Sequence, residues 1–276
     1  MVVARGITTD KVNTRETRKQ RAFFSKVRRG EAAYAVNLRK IAKHVEDIVK
    51  AFNPDDPEQI RQLEDALRRY SDLLTPWARV TARKMLVDVS RRDEKVWKEY
   101  TTYLGLNLQQ EIATAPTGEV MRDLLNEQVH LITSLPLDAA RRVHELTTGA
   151  LYEGARANEI AQEILKTGEI TRNRASLIAR TEVGRASTAL TQARALSVES
   201  THYVWMSSHD FDTRPRHKQL DGTAHAWNNP PIASEPGQKE MRYHPGAGPN
   251  CRCIPLPILP EERIANRKNW HAEHGI

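Results

Sequence analysis

The sequence predicts a mainly helical chain that ends in a small α+β domain. Three observations carry this. From about Thr14 to Val198 apolar residues recur at three-, four- and seven-residue steps, the period of an amphipathic helix. That stretch is punctuated by turn signals such as FNPDDP (52–57) and ATAPTGE (113–119). After Thr201 the period changes: THYVWM has strand character, and residues 228–250 are dominated by Asn, Pro and Gly.

In chain order, residues 1–14 lack periodicity and are expected to form a disordered basic arm. A helix follows from about Thr14, with Phe23, Val27, Tyr34, Leu38, Ile41, Val45 and Ile48 inward and a candidate break at Gly30. Two prolines in FNPDDP stop it. The next helix, Pro57–Leu74, carries Ile60, Leu63, Leu67 and Tyr70 on one face. Thr75-Pro76 then reads as a cap with proline at the first helical position. The long helix it opens places Trp77, Val80, Met85, Val89, Val96, Trp97, Tyr100 and Leu104 inward and a charged face, Asp93 included, toward solvent. Helices are expected over Glu119–Leu131 and Leu137–Gly149, separated by a break at Ser134-Leu135-Pro136. A short helix spans about Ala157–Leu165, with Lys166-Thr167-Gly168 as its C-cap. Residues 170–198 form a helix rich in small residues, buried in the middle of its domain, in which Glu182 needs a partner: Arg180, Arg185 or a residue of the C-terminal stretch. Tyr203–Met206 is a strand, a short helix precedes the Asp221-Gly222 turn, and Cys253–Leu256 is a second strand pairing with 203–206. The expected divisions are 1–14 (arm), 15–117 (helical N-terminal region), 118–198 (helical middle part), 199–260 (small α+β part) and 261–276 (polar tail).

The chain has 276 residues and a net charge of +7, and residues 1–50 hold 13 Lys+Arg against 5 Asp+Glu. A basic arm on a neutral body suits an acidic partner, nucleic acid first and an anionic membrane second. Arg15, Arg18, Lys19, Arg21, Arg28 and Arg29 are the candidate phosphate contacts, non-specific in sequence. Two cysteines argue against a disulfide scaffold. No signal peptide and no membrane span are expected.

The chemistry-bearing residues crowd into 203–257. His217, His244, Cys251 and Cys253 are a closed set for structural zinc, stapling a loop-rich segment that has few large apolar side chains. The competing account is two reduced cysteines in an ordered loop. Asp210, Asp212, His217, Asp221 and His225 would suit a metal-dependent nuclease, but no nuclease spacing appears, and Asp212-Thr213-Arg214 also fits a capped, ion-paired turn.

Trp205, then Asp212-Thr213-Arg214, His217, Leu220-Asp221-Gly222, His244-Pro245 and Asn250-Cys251-Arg252-Cys253, together with Ile178-Ala-Arg-Thr-Glu182 upstream, resembles the C-terminal domain of phage Mu F-like minor head proteins. This is the head-morphogenesis family of tailed bacteriophages. The resemblance covers about residues 120–257. It implies a minor capsid protein acting at the portal vertex during procapsid assembly and found in the virion. Its implied partners are the portal protein, capsid or scaffolding proteins and double-stranded DNA. It implies no enzyme. Glu182, Trp205, Asp212, Arg214 and Gly222 become fold-defining motif residues. Some relatives have Cys at the positions of Arg214 and His217, where this chain departs from the pattern. The alternatives are a metal-dependent nuclease or a non-specific DNA-binding virion protein.

Overall fold

A computed structural model of the chain describes residues 21–260, apart from 105 and 154–156. The expected arm (1–14), Arg15, Arg18, Lys19 and the tail (261–276) lie outside the described residues. The chain is mainly helical, with a small antiparallel sheet near its C-terminal end. A 3-10 segment, Ser25–Gly30, leads into α1 (Glu31–Lys50), followed by α2 (Pro57–Leu73), α3 (Thr75–Leu104), α4 (Gln109–Thr114), α5 (Thr117–Glu153), α6 (Ala157–Leu165) and α7 (Thr167–Ser197). After them come β1 (His202–Met206), α8 (Pro215–Leu220), β2 (Ala224–Ala226) and β3 (Ile254–Ile258).

The helix ends follow local chemistry. Asp56 caps α2 by accepting the Glu58 backbone N–H, with Pro57 in the first helical position. The expected break at Pro136 is absent, because α5 runs through it. Pro136 is itself buried, between Ile132, Leu135, Ala139 and Ala140, all at most 3% exposed. Burial of that face outweighs the one backbone hydrogen bond a proline removes. Thr167 and Gly168 open α7 instead of closing α6. In α3 the expected inward residues Met85, Val89, Val96, Trp97, Tyr100 and Leu104 are buried, but Val80 is exposed, and Ala78 and Ala82 are buried in the first turns instead.

Two compact units share the chain. One comprises Glu31–Met85 and Asp123–Arg180. Its core includes Leu38, Ile41, Val45, Leu63, Leu67, Ile132, Leu135 and Ile164. Inside it the buried Tyr34 hydroxyl donates to Gln128 Oε1 at 2.9 Å, and Arg180 pairs with Glu31 at 3.0 Å.

The other unit takes the described residues up to Gly30, Leu86–Arg122 and Thr181 onward. The sheet order is β2-β1-β3, both pairings antiparallel, with Tyr203 opposite Pro257 and Trp205 opposite Pro255. The expected pairing of 203–206 with the segment after Cys253 is thus present, and β3 lies at the edge, where strand prolines are tolerated. Tyr203, Val204, Trp205 and Met206 are all buried, so both faces of β1 are covered. The C-terminal half of α7 is buried nearly all round, through Val183, Ala186, Leu190, Ala193 and Ala195. Phe24 packs edge-on against Trp97. The same unit holds a buried ion pair: Asp93, fully buried and not on a solvated face as expected, pairs with Arg194 and accepts from the Thr191 hydroxyl. Burial pushes the Asp93 carboxyl up to about 6, and Arg194 and Thr191 oppose that shift.

Candidate functional site

Three side chains converge behind β1. His217 sits on α8, whose start is set by Pro215, and shares its buried face with Leu220. Cys251 and Cys253 flank an exposed Arg252, so the two thiols turn inward while the residue between them faces out. All three are 2% exposed. His217 Nδ1 lies 3.6 Å from Cys251 Sγ and 3.4 Å from Cys253 Sγ. The candidate ligand atoms all lie within 4.8 Å of one another, and among the described residues this is the grouping suited to a metal ion.

The surrounding contacts fix the chemistry of each atom. The Tyr243 hydroxyl donates to the Ala233 carbonyl at 2.8 Å and lies 3.1 Å from His217 Nε2. Its one proton is spent on Ala233, so its oxygen accepts from Nε2–H, and the bare lone pair of His217 is on Nδ1, facing the sulfurs. Gly246 donates its backbone N–H to Cys251 Sγ at 3.3 Å. The Cys251 thiol ionises more readily than usual, chiefly because Cys253 hydrogen-bonds to it, with burial opposing. Cys253 is pushed up by the adjacent Cys251 and by burial, against a backbone hydrogen bond from Ser208 and the nearby Trp205 indole. The pair therefore favours one thiolate and one thiol. Trp205, fully buried, stands edge-on to the His217 ring at 5.2 Å.

Helix α7 and the N-terminal segment hold this knot from outside. Thr181, Gly184 and Thr188 fall on one helical face, at steps of three and four. The Thr181 hydroxyl accepts the Asn250 N–H at 2.9 Å, and the Thr188 hydroxyl donates to the Pro245 carbonyl at 2.6 Å. A Cβ at Gly184 would stand 2.9 Å from the Gly246 carbonyl and closer still to the Arg28 guanidinium. Gly246 itself has φ +86, a conformation glycine adopts freely. Arg28 donates to the Cys251 carbonyl at 2.6 Å and to the Cys253 carbonyl at 3.4 Å, and Arg21 donates to the Ser208 carbonyl at 2.7 Å. These two arginines, expected as phosphate contacts, are turned onto the loops of the site; Arg29 is exposed.

His244 does not join the cluster. Its Nδ1 lies 3.1 Å from the Tyr203 hydroxyl and its ring packs on Trp227. Burial, then the neighbouring His225, lowers its pKa to about 4. The carboxylates that suggested a nuclease are engaged by other side chains and backbone: two share Arg252 and the third stands apart. Asp210 accepts from Thr213 and pairs with Arg252 at 2.9 Å, and Asp212 is exposed, 3.8 Å from the same Arg252. Asp221 accepts the Ser207 N–H at 2.7 Å and faces His209. His225 lies against the Thr223 hydroxyl at 2.7 Å. Arg214 donates to the Pro249 carbonyl at 2.7 Å, and Gly222, with φ 78, donates its N–H to the Trp205 carbonyl. Glu182 is buried with Arg185 3.7 Å away. Sequence reasoning missed Tyr243, Thr181, Gly184 and Thr188. The signal available for the last three was their common helix face.

Residues 141–255 match the family model described as "Phage Mu protein F like protein". A protein of Haemophilus influenzae, itself described as an uncharacterized protein, is 31% identical over 176 residues, 62% of this chain. The chain spans 38% of that relative's length. No solved structure matches. Among the described residues no helix is long and apolar enough to cross a membrane.

Proposed function

We propose that the chain is a minor structural protein of a tailed-phage head, acting in head morphogenesis without catalysing a reaction. The observation that carries this reading is the match of residues 141–255 to the phage Mu F-like family. That span includes α7 from its first residue, β1, α8 and the His217–Cys251–Cys253 knot. The internal contacts fit a structural part: Asp210, Asp212 and Asp221 are committed to ion pairs and strand-end hydrogen bonds, which weighs against the nuclease alternative. On this reading the protein is assembled at the portal vertex, with the portal protein and capsid or scaffolding proteins as partners, and resides in the virion. Arg15, Arg18, Lys19 and Arg29 are its candidate contacts to packaged double-stranded DNA, with Arg21 and Arg28 serving the fold.

The test is genetic and compositional. In the phage that encodes it, a nonsense mutation in this gene should abolish DNA-filled heads while tails still assemble. Mass spectrometry of wild-type heads should find the chain at low copy, cross-linked to portal. Normal heads without the protein, or its absence from purified heads, would overturn the proposal.

A further inference from the structure

We propose that His217, Cys251 and Cys253 bind a zinc ion as three protein ligands, leaving the fourth coordination position to water or another exchangeable donor. The inference stands on the geometry of the knot and does not depend on the role in head assembly.

The first argument is distance. Tetrahedral zinc with Zn–S of about 2.3 Å and Zn–N of about 2.0–2.1 Å places nitrogen and sulfur ligands roughly 3.5–3.6 Å apart. His217 Nδ1 stands 3.4 and 3.6 Å from the two sulfurs. The second argument is hydrogen-bond accounting. Both sulfurs approach one nitrogen, whose single lone pair can accept one S–H. A cation would engage all three atoms at once, whereas thiols can direct only one S–H to that nitrogen. The third is the surrounding shell. Tyr243 holds the proton of His217 on Nε2 and so presents Nδ1 as the ligand, the arrangement that fixes metal-bound histidines. Cys251 Sγ receives the Gly246 N–H, and the Ser208 N–H favours a charged Cys253 sulfur. The Trp205 indole N–H, buried without a hydrogen-bond partner, lies near enough to do the same. Donors aimed at sulfur favour thiolates, the form that binds metal. Zinc binding here would release the remaining thiol proton or protons to solvent, giving a neutral Zn²⁺–bis-thiolate unit.

The fourth position follows from what stands on the open side. A cavity of about 70 Å³ reaches the three ligands and is lined further by Ser208, Asp210, Asp212, Arg214, Asn250 and Arg252. That is room for a few waters. Asp210 and Asp212 face Arg252, and His244 is on Tyr203 and Trp227, so none of these completes the shell in this arrangement. Three protein ligands and an open fourth position differ from the closed four-ligand set of a purely structural site.

The test uses the full chain. Elemental analysis after purification without added chelator should give about one zinc per chain. Cys251→Ser, Cys253→Ser and His217→Gln should each lose most of it, and His244→Gln should keep it. Cobalt exchanged into the wild-type protein should show the visible bands of a tetrahedral thiolate site, and a small added thiol should shift them by occupying the fourth position. The cobalt titration of wild-type protein stands as the independent reading where a ligand variant loses its fold with its metal. A folded wild-type protein that binds neither zinc nor cobalt would overturn the proposal. So would loss of zinc in His244→Gln with the fold retained, or cobalt bands indifferent to added thiol, since either result would mean a fourth protein ligand.

Discussion

Replacing Arg28 by alanine separates two meanings of the basic N-terminal segment. As a phosphate contact, Arg28 would leave stability unchanged when removed. The structure instead has it donating to the carbonyls of Cys251 and Cys253 at 2.6 and 3.4 Å, in a position that α7 accommodates only because residue 184 is glycine. A hydrogen bond from a charged donor contributes about 1.5–3 kcal/mol net, and the truncated side chain leaves two carbonyls without it. Arg28 is half-buried, so we take that range for the pair of bonds and not twice it. For a chain of this size each kcal/mol moves Tm by about 2–4 °C, which predicts a loss of about 3–12 °C. The exposed Arg29 provides the control: Arg29→Ala should stay within about 0.5 kcal/mol of wild type. Thermal unfolding of both variants, beside a gel shift on duplex DNA at two salt concentrations, reads both meanings together. If Arg28→Ala melts like wild type yet binds DNA more weakly and with a shallower salt dependence, the structural role is refuted and the residue is a phosphate contact.

Three further outcomes are expected. Asp93→Ala leaves Arg194 buried without its carboxylate and should cost about 3–5 kcal/mol in urea unfolding, while the paired change Asp93→Leu with Arg194→Met should recover most of the loss; equal losses in both would refute the ion-pair account. His244 is lowered to about 4 by burial and then His225, and His225 is itself lowered by burial, so the stability they contribute is complete above pH 6.5 and is lost as pH falls toward 4. The shift of His244 caps its share at about 3 kcal/mol, and screening at a part-exposed ring reduces that to about 1–2, which urea titrations of EDTA-treated protein at pH 7.5 and 5 should show and His244→Gln should remove. Gly184→Ala should destabilise by about 1–2 kcal/mol, because overpacking against the Gly246 carbonyl outweighs the gain in helix propensity; a rise in Tm would show that the contact relaxes freely.

Much of the fold is legible because its signals are local. The Tyr-Val-Trp run has strand propensity, FNPDDP stops a helix by steric necessity, and the spacing of Leu63 and Leu67 marks a buried face in α2. What misleads is tertiary. Pro136 is a helix breaker by its own chemistry, but α5 keeps its course where Ile132, Leu135, Ala139 and Ala140 are all buried. Asp93 lies among charged neighbours in Arg-Arg-Asp-Glu-Lys, so sequence places it in solvent, and only Arg194, a hundred residues on, accounts for its burial. His217 and His244 are equivalent as letters in polar loops. Their difference is the company they keep: two sulfurs for the first, Tyr203 and Trp227 for the second.

The two sequence hallmarks, Ile-Ala-Arg-Thr-Glu on α7 and Asn-Cys-Arg-Cys near the end of the chain, are one structural feature. Thr181 receives the N–H of Asn250, Gly184 makes room for the Gly246 carbonyl, and Thr188 donates to Pro245, so a single helix face meets the loop at three successive points. That loop has little apolar surface of its own to bury: Gly246, Gly248, Pro245 and Pro249 fill it. Its conformation therefore rests on directed hydrogen bonds, which lose their effect when donor and acceptor separate by a fraction of an ångström. A rigid helix supplies fixed donor positions that a second loop could not. The same dependence on direction explains why Arg28 and Arg21 reach from the N-terminal segment to backbone carbonyls: each carbonyl held from outside keeps a thiol or a neighbouring N–H pointing inward. The His–Cys–Cys knot is thus positioned by three separate parts of the chain.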